Sequence, residues 1–148
     1  MSGAEPLSGV GPFSGDRTPS PAPDGWDDRQ VEILGDQLSG KTITLGLTGG
    51  IAAIEAPRLA RELRRYGATV RAVMTPAAER ILTPAAMEWA TGHPVVSDLS
   101  GRVEHLVRED AFVVYPATLN TVSKVACGIA DNALTTALAS AWGRGIPI

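Results

Sequence analysis

Apolar and polar positions change period several times along this chain, and each change marks an element. Thr42-Ile43-Thr44-Leu45-Gly46-Leu47-Thr48 carries no charge and is rich in aliphatic and β-branched residues, the pattern of a strand buried on both faces. Gly49-Gly50 makes a turn. From Ile51 to Tyr66 the apolar residues Ile51, Ile54, Leu59 and Leu63 recur at helical spacing. Pro57 falls in an early turn of that helix, where a missing amide donor costs least, and Gly67 stops it. Thr69–Met74, TVRAVM, reads as a second strand, so the succession predicts a right-handed parallel β-α-β unit.

The pattern then shortens. Thr75-Pro76 opens a helix with threonine as N-cap, proline at the first helical position and Glu79 in the first turn. Thr83-Pro84 repeats the device for a helix over residues 85–91 that Gly92 ends. Val95-Val96 reads as a short strand, residues 102–109 as a helix, and Phe112-Val113-Val114-Tyr115 as a buried strand stopped by Pro116. Helices are predicted over residues 119–127 and 131–142. Gly145-Ile146-Pro147-Ile148 reads as the start of one more strand, so the domain is expected to be cut short at its C-terminus. Residues 1–40 stand apart. Met1–Gly25 is dominated by Gly, Pro and Ser and cannot bury enough apolar surface to offset the entropy of ordering, so it reads as a disordered extension. Trp26–Leu38 mixes apolar and charged residues and predicts a short helix docked on a neighbour. The expected organisation is this extension followed by one α/β domain over residues 41–148, a three-layer open parallel sheet of Rossmann type.

Polar residues cluster where the predicted strands end. Thr118, Asn120 and Thr121 follow the strand that Pro116 stops, and Asp131-Asn132 forms a second polar knuckle after a short helix. In an open α/β sheet ligands bind at the carboxyl ends of the strands, so these loops read as walls of a cofactor cleft. Gly49-Gly50, between a strand and a helix, has the setting of a phosphate site. Gly46, Gly49 and Gly50 lack the G-x-G-x-x-G spacing, no acidic residue closes the second strand, and no Gly-Lys-Ser/Thr follows; a dinucleotide or a P-loop ligand is disfavoured. Thr75 stands where the ribose-binding acid would be. Hydroxyls there and after the third strand suit a mononucleotide phosphate.

Composition narrows the class. The net charge of −3, with no basic block, leaves nucleic-acid binding without an electrostatic footprint. The single cysteine, Cys127, excludes an intrachain disulfide and points to a reducing, cytoplasmic setting; its own reading is a small buried core residue. No run reaches the roughly 20 apolar residues of a membrane span, and the N-terminus lacks a secretory signal pattern. No metal site is expected.

The stretch LGLTGGIAAIEAPRLARELRRYGATVRAVMTPAAERILTP resembles the opening of the homo-oligomeric flavin-containing cysteine decarboxylases, a family that includes phosphopantothenoylcysteine decarboxylases. PATLNT is similar to that family's P-A-S-A-N-T segment and GIADNALT to its G-x-x-D-N-L-L-T loop, and the resemblance runs from Thr42 to Ile148. It implies a flavodoxin-like fold and FMN as cofactor. Gly49, Gly50 and Ile51 would line the FMN phosphate and ribityl chain, and Thr75 would bond near the phosphate. Thr118, Leu119, Asn120 and Thr121 would contact the flavin. Asp131 and Asn132 would shape the cleft at a contact between protomers of a trimer or a multiple of trimers. From the residues alone, Asp131 reads equally as a helix N-cap, and Thr118 and Thr121 as a capped helix start.

In that family, flavin oxidation of a cysteine side chain allows the adjacent carboxylate to leave, and a histidine sixteen residues before the P-A-S-A-N-T serine serves the reaction. Here Thr118 holds the serine position and Arg102 the histidine position, with His105 three residues later. Arginine is no base near neutral pH. If the segment is helical, Arg102 and His105 share a face, so His105 is the expected catalytic residue, displaced from the family position. His93, beside Gly92 and Pro94, reads as an ordinary surface histidine. The expected substrate is a small-molecule or peptide thiol: phosphopantothenoylcysteine or a C-terminal peptidyl cysteine. The alternative is a non-catalytic FMN-binding subunit that needs a partner chain, which Arg102 favours. A prenyl-FMN synthase of related fold is opposed by the Gly-Gly-Ile turn and by PATLNT.

Overall fold

The computed structural model describes residues 27–99 and 109–148. The predicted disorder of Met1–Gly25 and the predicted helix over residues 102–109, with Arg102 and His105, lie outside them apart from Glu109, which is not helical.

Three parallel strands, β1 (Thr42–Leu47), β2 (Thr69–Met74) and β3 (Ala111–Val114), form a sheet in the order β2-β1-β3. Thr42 pairs with Thr69 and Leu47 with Met74; on the other edge Ile43 pairs with Ala111 and Gly46 with Val114. β1 is therefore central, and five of its six residues are buried, which explains its uninterrupted apolar run. Val96 extends the sheet past β2 through an isolated bridge to Val73, as its two-residue apolar pattern predicts.

Strand residues divide by parity between two cores. Ile43, Leu45 and Leu47 of β1 and Val70, Ala72 and Met74 of β2 face one layer. Ala56 and Ala60 of α1 (Ala56–Arg65) and Met87 and Ala90 of α3 (Pro84–Thr91) cover it. Val73 and Phe112 face the opposite layer, where α5 (Ala133–Gly143) contributes Ala133, Leu134, Leu138 and Ala141. Two shorter helices, α2 (Pro76–Glu79) and α4 (Leu119–Ala126), follow β2 and β3 in the chain. The order 2-1-3 with helices on both faces is flavodoxin-like, and it places the topological switch point between β1 and β3.

Several local expectations are corrected. The helix predicted from Ile51 opens as a 3-10 turn over Ile51–Glu55 and becomes α-helical at Ala56, with Pro57 at its start, where the proline ring is tolerated. No helix forms over residues 27–38. The backbone there bonds instead to the end of α1: the Leu34 amide donates to the Arg65 carbonyl at 2.8 Å and the Leu38 amide to the Tyr66 carbonyl at 2.8 Å. Arg61 clamps this strap by donating to the Gln30 carbonyl at 2.9 Å while its guanidinium lies 4.3 Å from the Trp89 ring centroid. Residues 145–148 form no strand: the Phe112 amide donates to the Pro147 carbonyl at 2.8 Å, and among the described residues no second backbone bond joins them to β3. Cys127 is exposed rather than buried, because it stands just past the last turn of α4.

Candidate functional site

A cleft of about 520 Å³ opens at the carboxyl ends of β1 and β3, at the switch point, within the size range of cofactor sites. Gly49, Thr75, Pro76, Ala77, Arg80, Thr118, Asn120, Thr121, Lys124, Asp131 and Asn132 line it. Seven residues singled out from sequence thus come together: Gly49, Thr75, Thr118, Asn120, Thr121, Asp131 and Asn132. Gly50, Ile51 and Leu119 do not line the cleft; Ile51 and Leu119 are 75% and 80% exposed.

One wall comes from the turns after β1 and β2. A Cβ on Gly49 would lie 2.6 Å from the Ala77 side chain, so only glycine lets the start of α2 approach this closely. Thr75 is 7% exposed, and its hydroxyl caps α2 by accepting from the Ala78 amide at 3.2 Å. The opposite wall is the turn from β3 into α4. The Tyr115–Pro116 peptide bond is cis. Thr118 is the N-cap of α4 by position, yet its side chain makes no cap hydrogen bond; its hydroxyl meets the Thr121 hydroxyl at 3.2 Å. The reading of Thr118 as a capping side chain is corrected accordingly.

The loop after α4 closes the third side. Lys124 donates to Asp131 at 2.6 Å, and the Asn132 amide side chain donates to the other Asp131 oxygen at 2.9 Å. Lys124 pulls the Asp131 carboxyl below its ordinary value, chiefly through that hydrogen bond. Asn132, not Asp131, caps α5. Its side chain accepts from the Thr135 amide at 3.0 Å while the Thr135 hydroxyl accepts from the Asn132 amide at 3.2 Å, a reciprocal capping box. Asp131 sits one residue too early to reach those amides, so the N-cap reading of Asp131 is corrected.

The sequence reading missed Arg80 and Lys124. Lys124 stands four residues after Asn120 and three after Thr121 on α4, so helical spacing alone puts it on their face. Arg80 follows a helix of four residues, too short to show a period. Arg80 makes no ion pair among the described residues, whereas Lys124 is paired with Asp131. With hydroxyls, an amide and one unopposed guanidinium on its walls, the cleft suits a ligand with one anionic end and hydrogen-bonding edges. FMN, with its phosphate, ribityl hydroxyls and ring edge, fits that donor set. His93 is half-buried, and burial, ahead of repulsion from Arg71 and Arg64, lowers its pKa; it lies outside the cleft lining. Among the described residues no cluster of His, Cys, Asp and Glu is arranged to hold a metal, and no helix is long and apolar enough to cross a membrane.

A sequence model of the family described as Flavoprotein matches residues 32–148. The coenzyme A biosynthesis bifunctional protein CoaBC of Thermococcus kodakarensis is 48% identical over 115 residues, which are 73% of this chain and 28% of that protein. The chain therefore spans little more than a quarter of the length of the curated relatives it matches. Among solved structures, the FMN-dependent cysteine decarboxylase TvaF from thioviridamide biosynthesis aligns with a TM-score of 0.65 at 28% identity, over 69% of this chain and 68% of that one. The FMN-dependent cysteine decarboxylase SpaF aligns with a TM-score of 0.57 at 32% identity, over 70% and 63% of the two chains.

Proposed function

The chain belongs to the flavoprotein family, and on that premise we propose that it binds FMN in the cleft between the β1 and β3 turns and takes part in oxidative decarboxylation of a cysteine-bearing substrate. The observation that carries this reading is the convergence of Gly49, Thr75, Thr118, Asn120 and Thr121, from three separate turns, on one cleft at the switch point. The FMN-dependent cysteine decarboxylases that share the fold support the same reading.

Arg80 and Lys124 would supply positive charge for the phosphate, and the Asn120 amide and the two threonine hydroxyls would bond the polar edge of the cofactor. Bound there, FMN supplies a two-electron acceptor for the cysteine side chain, whose oxidation makes loss of the neighbouring carboxylate feasible. Of the two histidines, His105, three residues from the family's histidine position, would accept the proton, and Arg102 would hold the carboxylate. The substrate is phosphopantothenoylcysteine or a C-terminal peptidyl cysteine, and a cytoplasmic setting matches a chain with one cysteine. Exposed Ile51, Leu119, Val122, Ile129 and Trp142 give the molecule apolar surface that a homotrimer would cover.

The test is the absorbance spectrum of the purified protein between about 300 and 500 nm, with identification of the chromophore after denaturation, followed by assay of carbon dioxide release from both substrates. A yellow protein that releases FMN and decarboxylates one of them is the expected result. A colourless chain that takes up no added FMN counts against the reading. Arg102 in the family's histidine position favours a second reading, a non-catalytic FMN-binding subunit. On that reading the flavin-loaded chain is inactive alone and active with a partner chain.

A further inference from the structure

We propose that Thr48 is the positioning residue of the cleft: its buried hydroxyl clips the end of β1 to the turn after β3 and so holds Thr118 and Asn120 where the cofactor needs them. The inference rests on the FMN reading for its functional consequence.

The β1–β3 ladder ends with the Tyr115 amide donating to the Gly46 carbonyl at 2.8 Å. Beyond it the chain turns through Pro116, and among the described residues no further backbone hydrogen bond joins the two segments. Past that point the Thr48 side chain takes over. Its hydroxyl donates to the Pro116 carbonyl and accepts from the Thr118 amide at 3.1 Å, so one side chain engages both backbone groups of the turn. Thr48 is 1% exposed, so the hydroxyl that makes those bonds is shielded from water. The same turn lies tight against the next residues of the β1 end: a Cβ on Gly50 would stand 2.9 Å from Pro116. Downstream, the Thr118 hydroxyl meets Thr121, and Asn120 stands between them on the cleft wall. Gly49 on one wall and Thr118 on the other are thereby placed by a single hydroxyl between them.

Valine fills the same space as threonine without the hydroxyl, so Thr48→Val leaves the half-buried Pro116 carbonyl and Thr118 amide without their shared partner. Thr48→Ser keeps the hydroxyl. Thr91→Val is the matched control. Thr91 is also buried, at 2% exposure, and its hydroxyl likewise donates to a carbonyl, of Met87 at 2.8 Å, and accepts from an amide, of His93 at 3.2 Å. It lies on α3, outside the cleft lining.

The experiment titrates FMN into flavin-depleted wild type and the three variants, and measures amide hydrogen exchange over residues 115–121 without flavin. The expected result is that Thr48→Val binds FMN about tenfold more weakly or worse, the scale of losing one buried hydrogen bond. It should also lose exchange protection over residues 115–121, while Thr48→Ser restores both and Thr91→Val changes neither. Wild-type affinity and wild-type protection in Thr48→Val, or an equal loss in Thr91→Val, overturns the inference. A wild-type chain that takes up no FMN overturns the proposed function instead, and the exchange measurement then still decides whether Thr48 holds the turn. If Thr48→Val does not fold, loss of flavin with Thr48→Ser at wild-type stability overturns the hydroxyl's role, and retention supports it.

Discussion

Asp131 accepts from Lys124, from the Asn132 side chain and, at 3.5 Å, from the Thr135 hydroxyl, and the first of these chiefly lowers its pKa. A carboxyl with a lowered folded-state pKa stabilises the fold above its unfolded value, about 3.9, and loses that contribution as pH falls through the lowered value. Asp131→Asn is therefore expected to reduce the thermal midpoint slightly at neutral pH and progressively less below about pH 4. A deficit that stays constant across a pH series would point away from the ion pair. Asn120→Asp puts a negative charge on the cleft wall and removes an amide donor, so FMN affinity is expected to fall about tenfold or more in a fluorescence titration. Arg80→Glu is expected to weaken binding by a similar factor, and more at low salt, because it reverses the one unopposed cation of the lining. Thr118, Asn120 and Asp131 were legible as polar interruptions in apolar runs. Arg80 was not, since a lone arginine after a four-residue helix looks like any solvated charge.

At the scale of elements, α5 depends on both its cap and its buried face. Asn132→Ala removes the capping-box acceptor and is expected to cost about 1 kcal/mol in urea unfolding. Leu134 is fully buried against the β1–β3 face, where its side chain would meet a Cβ placed on Gly46 at 2.5 Å. Leu134→Ala is expected to cost about 2–5 kcal/mol, and a loss well below that range would mean the site collapses around the smaller side chain. The existence of each main strand and helix was legible because their apolar periods are strong. Helix starts were less so. Hydrophobic spacing is continuous from Ile51, yet the backbone is a 3-10 turn until Ala56; periodicity reports which face is apolar and not which carbonyl each amide engages. The same limit hid the strap over residues 27–40, whose hydrogen bonds go to α1, a partner that local pattern does not reveal.

For the whole molecule, exposed Leu119, Val122, Ile129 and Trp142 lie on or beside α4 and α5, the helices that flank one side of the cleft. Sedimentation velocity of the flavin-loaded protein is expected to show a species of about three chain masses, as large exposed apolar surfaces are covered by association. Trp142→Asp should shift that species toward the monomer. A monomeric wild type under the same conditions would count against the trimer.

The positions of β1, β2 and β3, the parallel β-α-β unit, the turn glycines and the polar residues at strand ends were determined by the sequence itself, because periodicity, proline placement and short polar side chains act within a few residues. Tertiary structure alone decided that Lys124 pairs with Asp131, that Arg80 reaches the cleft, and that Thr48 grips the turn about seventy residues away. The grip of Thr48 depends on which backbone groups the turn after β3 leaves without partners. That contact joins residues far apart in the chain, and no local pattern records it.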